Sequence, residues 1–153
     1  MTLEPIGYVR SARTDLVDDD WGAVWARIEL APAFAADAFD GIEEFSHVEV
    51  LFVFDRVGDA EVERGARHPR GNHMWPRVGI FAQRGKNRPN RLGSTIVELK
   101  ERHGRVLTVA GLDAVDGTPV VDIKPVMIEF LPRTAVRQPA WSHELMQDYW
   151  ERR

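Results

Sequence analysis

The sequence contains no cysteine, which excludes disulfide bonds and thiolate metal ligands. No apolar run approaches the ~18 residues of a membrane-spanning helix, and the start, MTLEPIGYVRS, shows no signal-peptide pattern. We therefore expect a cytoplasmic protein with no membrane partner. With 153 residues, of which 44% are hydrophobic and 29% are charged, the chain is predicted to form a single domain over 1–153.

Several motifs of catalysis and nucleotide binding are also missing. There is no GxGxxG fingerprint and no GxSxG elbow, and the five histidines lack an HExxH spacing, so no metal site is predicted. A phosphate-binding P-loop is excluded between Gly79 and Gly85. Five residues separate these glycines where the motif has four, and Asn87 follows Lys86 where the motif has Ser or Thr.

Charge of the two signs is segregated along the chain. Residues 1–62 carry 4 basic and 14 acidic side chains, residues 63–105 carry 11 and 3, and residues 106–153 carry 5 and 7. A basic middle between acidic ends is typical of a local anion site, whereas a nucleic-acid-binding domain is usually basic throughout. The alternative is a solvated positive face that only aids solubility.

The hydrophobic pattern predicts a mainly β protein with about seven strands, as in a barrel or a sandwich. The predicted strands are Pro5–Val9, Val24–Leu30, Val48–Val57, Val78–Arg84, Ser94–Leu99, Arg105–Ala110 and Pro119–Val126. The nearly continuous apolar run at 47–57 predicts a central strand covered on both sides. Asp116-Gly117 is a hairpin signal, His103-Gly104 can reverse the chain, and 57–76 is predicted to be irregular.

Two helices are predicted. Pro32 at a first-turn position indicates a short helix that ends at Gly41. Ser142 is a candidate N-cap for a C-terminal helix, whose apolar face would contain Leu145, Met146, Tyr149 and Trp150.

The most distinctive short element is Arg84-x-x-x-Arg88-Pro89-Asn90. Pro89 fixes its own φ and biases Arg88 toward extended geometry. Two forked guanidiniums on such a loop suit a carboxylate or a phosphate, and Asn90 adds a donor and an acceptor. The alternative is a hairpin whose exposed arginines are merely solvated.

Four stretches together resemble one known family. They are PIGYVRS, GIEEFSHVEVLFVF, HPRGN…FAQRGKNRPNRLGSTIVEL and LTVAGLDAVDGTPVVDIKPV, and they run from Pro5 to Pro125. The RPN, DGTP and DIKP motifs occur in the order found in the TrmO (TsaA-like) family of S-adenosylmethionine-dependent β-barrel methyltransferases. The resemblance implies a single TsaA-like barrel domain, without the C-terminal extension of longer family members.

The family's activity is what the resemblance implies for this chain. Family members methylate N6 of threonylcarbamoyladenosine at position 37 of tRNA, so the expected cofactor is S-adenosylmethionine and the expected partner is the tRNA anticodon stem-loop. The basic stretches 64–77 and 84–91 would contact this RNA. Two alternatives are a methyltransferase of the same fold acting on a small molecule, and a barrel that binds S-adenosylmethionine or RNA without transfer. The family also implies a homodimer.

The resemblance assigns cofactor contacts to four parts of the chain and to one isolated residue. The assigned residues are Trp21, Gly22 and Ala23; Asp55 and Arg56; Arg84, Arg88 and Asn90; Ile96; and Asp113, Ala114, Val115 and Asp116. Arginines suit the carboxylate of the cofactor, and aspartates suit its ammonium and ribose hydroxyls. Gly22 would allow close approach of the backbone to the ligand. The alternatives are turn formation for the aspartates and a place in the core for Ile96.

The acceptor nitrogen must lose a proton during transfer, and Asp55, His47 and Tyr8 are candidate bases. His47 and Tyr8 have an equally good use as core residues. The chain departs from the family pattern at two places. Gly85-Lys86-Asn87 stands where members often carry Ser and an aromatic residue or Pro, and Arg91 replaces a usual Pro.

Overall fold

The structure is a computed structural model that describes residues 1–150. Its eight strands are β1 (Gly7–Arg10), β2 (Trp25–Leu30), β3 (His47–Val53), β4 (Ala66–Arg67), β5 (Val78–Gly79), β6 (Leu92–His103), β7 (Val106–Ala110) and β8 (Pro119–Pro125). Six of them close an antiparallel barrel in the order β1-β2-β7-β6-β3-β8, and β4 pairs with β5 in a separate two-stranded sheet. The prediction of a mainly β barrel is confirmed, although the barrel itself has six strands where about seven were expected.

The predicted strand Val78–Arg84 is wrong beyond Gly79. The chain turns into a 3-10 helix at Ile80–Ala82, which buries Ile80 to 1% exposure. Gln83 follows it with its side-chain amide donating to the main-chain carbonyls of Val78 and Arg67. These side-chain bonds satisfy carbonyl groups that a longer strand would have paired with a neighbour.

Helical structure is sparse and differs in detail from the prediction. The predicted short helix that ends at Gly41 is a 3-10 helix, Ala36–Phe39, and a second 3-10 helix, Ile42–Glu44, follows Gly41. The single α-helix of residues 1–150, α1 (Ala140–Leu145), begins after Pro139. Ser142 is therefore inside α1, where its hydroxyl donates to the carbonyl of Pro139 at 2.6 Å. No helix in the part of the chain that the structure describes is long and apolar enough to cross a membrane.

The barrel interior is filled mainly by every second residue of its six strands, the ones whose side chains face inward. Its buried core comprises Val9, Ala26, Ile28, Leu30, Phe39, Val48, Val50, Phe52, Val97, Leu107, Val109, Leu112, Ala114 and Val120. The prediction that β3 is covered on both sides is wrong. Its residues alternate between a fully buried face and a half-buried outer face that contains Glu49, Leu51 and Val53, because the other side of β3 forms the outer wall of the barrel.

Both predicted turns form, but only one joins neighbouring strands. Gly104, with a φ of +57°, reverses the chain between β6 and β7. Gly117, with a φ of +84°, lies between β7 and β8, which are not neighbours in the barrel. The Asp116-Gly117 turn is therefore not a hairpin. It instead pairs with β1, since the Gly117 amide donates to the carbonyl of Val9 at 2.8 Å.

Antiparallel pairing sorts the connections into two groups at opposite ends of the barrel. One end is formed by the connections 11–24, 54–91 and 111–118. We call this end the mouth. The other end is formed by 31–46, 104–105 and the residues that directly follow β8, whereas the last described residues return to the mouth. Any residues that the three mouth connections carry are brought together by the topology alone.

Phe52 and Gly93 form a tightly packed cross-strand pair in the core, which leads to a first prediction. A Cβ on Gly93 would lie 2.5 Å from two atoms of the Phe52 ring. Gly93→Ala is therefore expected to destabilise the protein by about 1–3 kcal/mol, measured by chemical denaturation. Gly79→Ala is the matched control, because nothing lies within 4 Å of its added Cβ. Equal stability of the two variants would contradict this account of the packing.

Candidate functional site

Twelve of the thirteen predicted cofactor contacts lie in the mouth connections. These twelve are Trp21, Gly22, Ala23, Asp55, Arg56, Arg84, Arg88, Asn90, Asp113, Ala114, Val115 and Asp116. Because they come from all three connections, a ligand in the mouth would be surrounded by segments far apart in sequence. The mouth is therefore the candidate functional site.

Ile96 is the exception. It lies in the middle of β6, on the outer wall, and its side chain is 48% exposed. The prediction that Ile96 serves the core is therefore wrong. Its assignment as a cofactor contact remains a prediction, and it would need a ligand or partner reaching the outside of the barrel.

The acidic connection 111–118 contributes two carboxylates with different partners. Asp113 accepts hydrogen bonds from the hydroxyls of Thr95 and Tyr149, one on each carboxylate oxygen. Asp116 accepts from the backbone amide of Ser11 at 3.0 Å, which ties the first mouth connection to the third. Ala114 and Val115 are 4% and 6% exposed, so both are buried, and Ala114 belongs to the barrel core.

The basic loop is held by its own arginines. One Nη of Arg88 donates to the carbonyl of Gln83 at 2.8 Å and to that of Gly85 at 3.4 Å. Arg84 donates to the carbonyl of Ser94 at 2.6 Å and is otherwise exposed. The alternative that both arginines are merely solvated is therefore wrong for Arg88, which closes the loop, while Arg84 extends from it. Asn90 is exposed at the end of the loop.

Arg67 on β4 supports the same basic loop through side-chain hydrogen bonds. Its guanidinium donates to Gln83 Oε1 at 3.3 Å and to Asn87 Oδ1 at 3.2 Å. A Cβ on Gly85 would lie 2.7 Å from Arg67 Nη2. Two residues of the stretch that departs from the family pattern therefore contact Arg67. Gly85 lies beside its guanidinium, and Asn87 accepts a hydrogen bond from it.

The second departure from the family pattern also has a conformational basis. Arg91 has a φ of +52°, and its backbone amide donates to the carbonyl of Arg88 at 3.0 Å. Proline can do neither, because its φ is fixed near −65° and it has no amide hydrogen. The end of the RPN loop therefore has a turn that the usual Pro would exclude.

Arg84 and Asp113 form hydrogen bonds with adjacent residues near the start of β6. Arg84 bonds the carbonyl of Ser94, and Asp113 bonds the hydroxyl of the next residue, Thr95. The positive charges of Arg84 and Arg70 also act on the phenol of Tyr149, which contacts Asp113. The basic loop and the acidic turn are therefore both attached to the first residues of β6, at the mouth end of the barrel.

The remaining two segments line the same region. Arg56 donates to the carbonyls of Thr14 and Asp116 at 3.2 and 3.1 Å, whereas Asp55 is exposed beside it. Trp21 is 5% exposed, and its indole lies under the guanidinium of Arg13 at 3.7 Å. Trp21 is thus a packed residue whose side chain supports the connection 11–24 instead of facing solvent.

Gly22 makes a close approach, but within the chain. A Cβ at this position would lie 1.8 Å from the carbonyl oxygen of Trp150. The absence of a side chain at Gly22 therefore makes room for the C-terminal segment, while Ala23 is exposed next to it.

The three candidate bases occupy different places. His47 begins β3 at the end opposite the mouth, where it is exposed and bonded to Ser46. Tyr8 lies on the outer face of β1. Neither is a core residue and neither faces the mouth, so Asp55 is the only one of the three that lies in the mouth.

Four residues near the site were not predicted from the sequence, namely Arg67, Arg70, Thr95 and Tyr149. Tyr149 was expected on the apolar face of a helix, and instead it lies beyond the end of α1 with its hydroxyl on Asp113. Arg70 pairs with Asp19 at 2.9 Å and so joins the two longest mouth connections. Arg67 and Arg70 lie in the basic stretch 64–77, which was predicted to contact RNA but without naming these two residues. No sequence feature pointed to Thr95 or to a site role for Tyr149.

The histidines of the mouth do not form a metal site. The rings of His68 and His73 lie 4.2 Å apart, and His68 Nδ1 is 2.8 Å from the carbonyl oxygen of Trp75. Over residues 1–150, no group of three or more His, Cys, Asp or Glu side chains is placed to hold a metal ion.

The architecture is thus that of a closed antiparallel barrel with a candidate ligand site in the loops of one end. Residues 20–130 match the family model described as the tRNA-methyltransferase O N-terminal domain. The chain belongs to this family, which confirms the resemblance found in its sequence motifs.

Named relatives agree with this assignment. The chain is 46% identical over 102 residues to the tRNA (adenine(37)-N6)-methyltransferase of Escherichia coli (strain K12), a match that covers 63% of this chain and 42% of that enzyme. It is 39% identical over 130 residues to the "Probable S-adenosyl-L-methionine-binding protein" of Methanothermobacter thermautotrophicus, covering 80% of this chain and 88% of that protein. The chain therefore spans less than half of the first relative and most of the second.

Solved structures share the fold. A crystal structure of TrmO from Pseudomonas aeruginosa superposes with a TM-score of 0.74 at 29% identity, covering 92% of this chain and 61% of that one. A second TrmO crystal structure has a TM-score of 0.71 at 28% identity, covering 96% and 74%.

The phenol of Tyr149 provides a pH-dependent test of the site geometry. Burial, and then the neighbouring Asp113 carboxylate, raise the pKa of Tyr149 far above its ordinary value of 10.0. Above pH 10 the phenol therefore ionises in the unfolded chain but stays protonated in the folded one, so stability falls as pH rises. At pH 11 the loss is expected to be about 1 kcal/mol.

This loss is measured as the difference between wild type and Tyr149→Phe in urea denaturation at pH 9, 10 and 11. The wild type should lose stability more steeply, because other titrating groups are shared by both proteins. Parallel stability curves over this range would show that Tyr149 is not buried beside Asp113.

Proposed function

We propose that this chain is the methyl-donor-binding barrel of an S-adenosylmethionine-dependent N-methyltransferase, which acts in the cytoplasm on N6 of threonylcarbamoyladenosine at position 37 of tRNA. The observation that carries the proposal is the convergence of Arg84 and Asp113 on adjacent residues of β6. A zwitterionic ligand with hydroxyls needs both a cation and a carboxylate in one cleft. Membership of the tRNA-methyltransferase O N-terminal domain family supports it.

The mouth residues have separate roles in holding the donor. Arg84 is exposed and bonds only a neutral carbonyl within the described chain, so its charge is available to the donor carboxylate. Arg88 acts indirectly, because it fixes the loop through the carbonyls of Gln83 and Gly85. Asp113 suits the ammonium or a ribose hydroxyl of the donor.

Basic side chains around the mouth supply a surface for the anticodon stem-loop. Arg64, Arg77, Arg84 and Lys86 lie in the basic stretches, and no carboxylate of residues 1–150 is within 4.0 Å of their charged groups. Arg70 differs, since Asp18 and Asp19 compensate its charge. These four side chains, uncompensated within the described chain, can therefore meet phosphates, whereas the part of the basic stretch around Arg70 lies against the acidic residues Asp18 and Asp19.

Catalysis in such a site is mainly positioning. The bound donor supplies a methyl group on a sulfonium, and transfer to nitrogen leaves the electron pair of the broken bond on sulfur. The acceptor nitrogen loses its proton to water or to a weak base. Asp55 is exposed at the mouth and is the candidate for that base.

The proposal is tested by methyl transfer to tRNA that carries unmethylated threonylcarbamoyladenosine, with nucleoside mass spectrometry as the readout. We expect the methylated nucleoside with wild type and at least a tenfold lower rate with Arg84→Gln, because the loss of one charge-assisted contact costs about 1.5–3 kcal/mol. Lys124→Gln is the matched control. Lys124 is a basic residue near the other end of the barrel, paired with Asp122.

Salt dependence separates the two classes of acceptor in the same assay. If four basic side chains neutralise phosphates, tRNA affinity should fall roughly a hundredfold between 50 and 200 mM salt. Donor binding and tRNA binding without any methylated nucleoside would contradict the proposed activity in favour of a non-catalytic barrel. A weak salt effect with no tRNA product would instead favour a small-molecule acceptor.

We further propose a homodimer. Residues 127–140 that follow β8 are almost entirely exposed, yet they include Ile128, Phe130 and Val136 at 80%, 86% and 71% exposure. Exposed apolar side chains along one extended segment are typical of a surface covered by a partner. A second copy of the chain is the partner that the family resemblance implies.

The dimer is tested by light scattering after gel filtration. The wild type is expected at twice the chain mass of 17.4 kDa, and Phe130→Asp is expected to shift the protein toward monomer, since a buried unpaired charge at an interface is costly. Arg133→Asp, a charge change in the same segment without loss of apolar surface, is the control. A monomeric wild type at micromolar concentration would contradict the proposal.

A further inference from the structure

The last described residues cross the mouth and are fixed there by backbone hydrogen bonds. The amide of Asp20 donates to the carbonyl of Asp148 at 3.0 Å, and the amide of Trp21 donates to the carbonyl of Tyr149 at 2.8 Å. The carbonyl of Trp150 lies against Gly22, where any side chain would collide with it. The segment Asp148–Trp150, which we call the strap, is therefore docked on the connection 11–24.

The helix that leads into the strap is attached to another mouth connection. Trp75 donates its indole N–H to the carboxylate of Glu144 in α1 at 2.8 Å. The strap is thus held at its start by the connection 54–91 and at its end by the connection 11–24. Two separate attachments make the strap a defined wall of the mouth.

The strap places one polar group into the site. Tyr149 is half-buried, and its hydroxyl donates to one oxygen of Asp113 while Thr95 donates to the other. A carboxylate with a hydrogen bond on each oxygen cannot rotate freely about its terminal torsion. Since an ionised carboxylate has about four lone-pair sites, two such bonds leave capacity for a ligand.

The hydroxyl of Tyr149 stays a hydrogen-bond donor above the pH at which a free phenol ionises. Burial and the Asp113 carboxylate raise its pKa, and the nearby cations Arg70 and Arg84 only partly oppose this shift. The raised pKa therefore keeps the phenol neutral beside the Asp113 carboxylate, to which it donates.

We propose that Tyr149 is a positioning residue, which fixes the carboxylate of Asp113 in the orientation that binds a hydroxyl or the ammonium of the methyl donor. This inference rests on the proposed function, because it takes Asp113 as a donor contact. It adds the strap to the site as a wall that the three mouth connections alone do not provide. It also accounts for Gly22, whose missing side chain admits the strap.

The test is the affinity for S-adenosylmethionine, measured by calorimetry. Tyr149→Phe removes only the hydroxyl and is expected to raise the Kd about tenfold, the usual consequence of losing one hydrogen bond to a charged group. Thr95→Val is expected to act in the same direction, and it provides a second variant should Tyr149→Phe fold poorly. Ser142→Ala is the control, because that hydroxyl bonds within α1 and its flanking residues.

A double-mutant cycle distinguishes positioning from a general loss of structure. In the Asp113→Asn background, Tyr149→Phe should have little further effect on the Kd, whereas a merely structural role would add the same penalty in both backgrounds. An unchanged or lower Kd for Tyr149→Phe, with binding still weakened by Asp113→Asn, would overturn the inference alone. An unchanged Kd for Asp113→Asn would overturn the donor role proposed for that residue, and this inference with it.

Discussion

Closure of the sheet between β8 and β1 is the constraint on which the mouth depends. Only Gly7 and Tyr8 are paired in register with β8, at Val120 and Pro119. Backbone bonds on either side extend this short seam, from Ile6 to Val120 at 2.8 Å and from Val9 to Thr118 at 2.9 Å. Because the seam continues directly into the Asp116-Gly117 turn, closing the barrel also fixes the acidic connection.

Gly7 shows how tightly this seam is built. A Cβ at that position would lie 2.4 Å from the carbonyl oxygen of Glu29 on β2, so β1 packs between its neighbours only because it lacks a side chain there. Closure then leaves no free edge in the barrel, and the antiparallel order sends three long connections to one end. The site is a consequence of this topology before any side chain is considered.

The arginines of the mouth combine a structural role with an electrostatic one. Arg13, Arg56 and Arg88 donate to main-chain carbonyls of the mouth connections, and Arg84 donates to a main-chain carbonyl of β6. A neutral carbonyl satisfies the guanidinium without cancelling its charge, unlike a carboxylate. The same bonds that organise the loops therefore leave these four guanidinium charges without a carboxylate partner among residues 1–150, which is how a chain with a net charge of −4 can offer positive charge to the proposed anion site.

Much of the fold was predictable from the sequence because strand alternation and turn residues are local signals. The alternating pattern of Val106–Ala110 and the His103-Gly104 reversal both appear as predicted. The predictions that were wrong concern features that depend on contacts between residues distant in sequence. Gln83 satisfies carbonyls of residues up to sixteen positions away, which ends a strand that hydrophobicity alone would continue. The apolar run of β3 likewise does not reveal that one of its faces is the outside of a barrel.

The site residues that lie in the family motifs could be predicted from the sequence. The strap could not, because Asp148–Trp150 lies outside those motifs. The spacing of Leu145, Met146, Tyr149 and Trp150 fits a helix face, but the helix stops at Leu145. Beyond the helix, the backbone carbonyl of Tyr149 accepts from the amide of Trp21 and its hydroxyl donates to Asp113. A contact between residues 36 positions apart leaves no periodic trace in the sequence. Gly22 is the one predicted site residue that indicates the strap. The sequence analysis interpreted its missing side chain as space for a ligand, and the structure shows that Trp150 of the strap occupies this space.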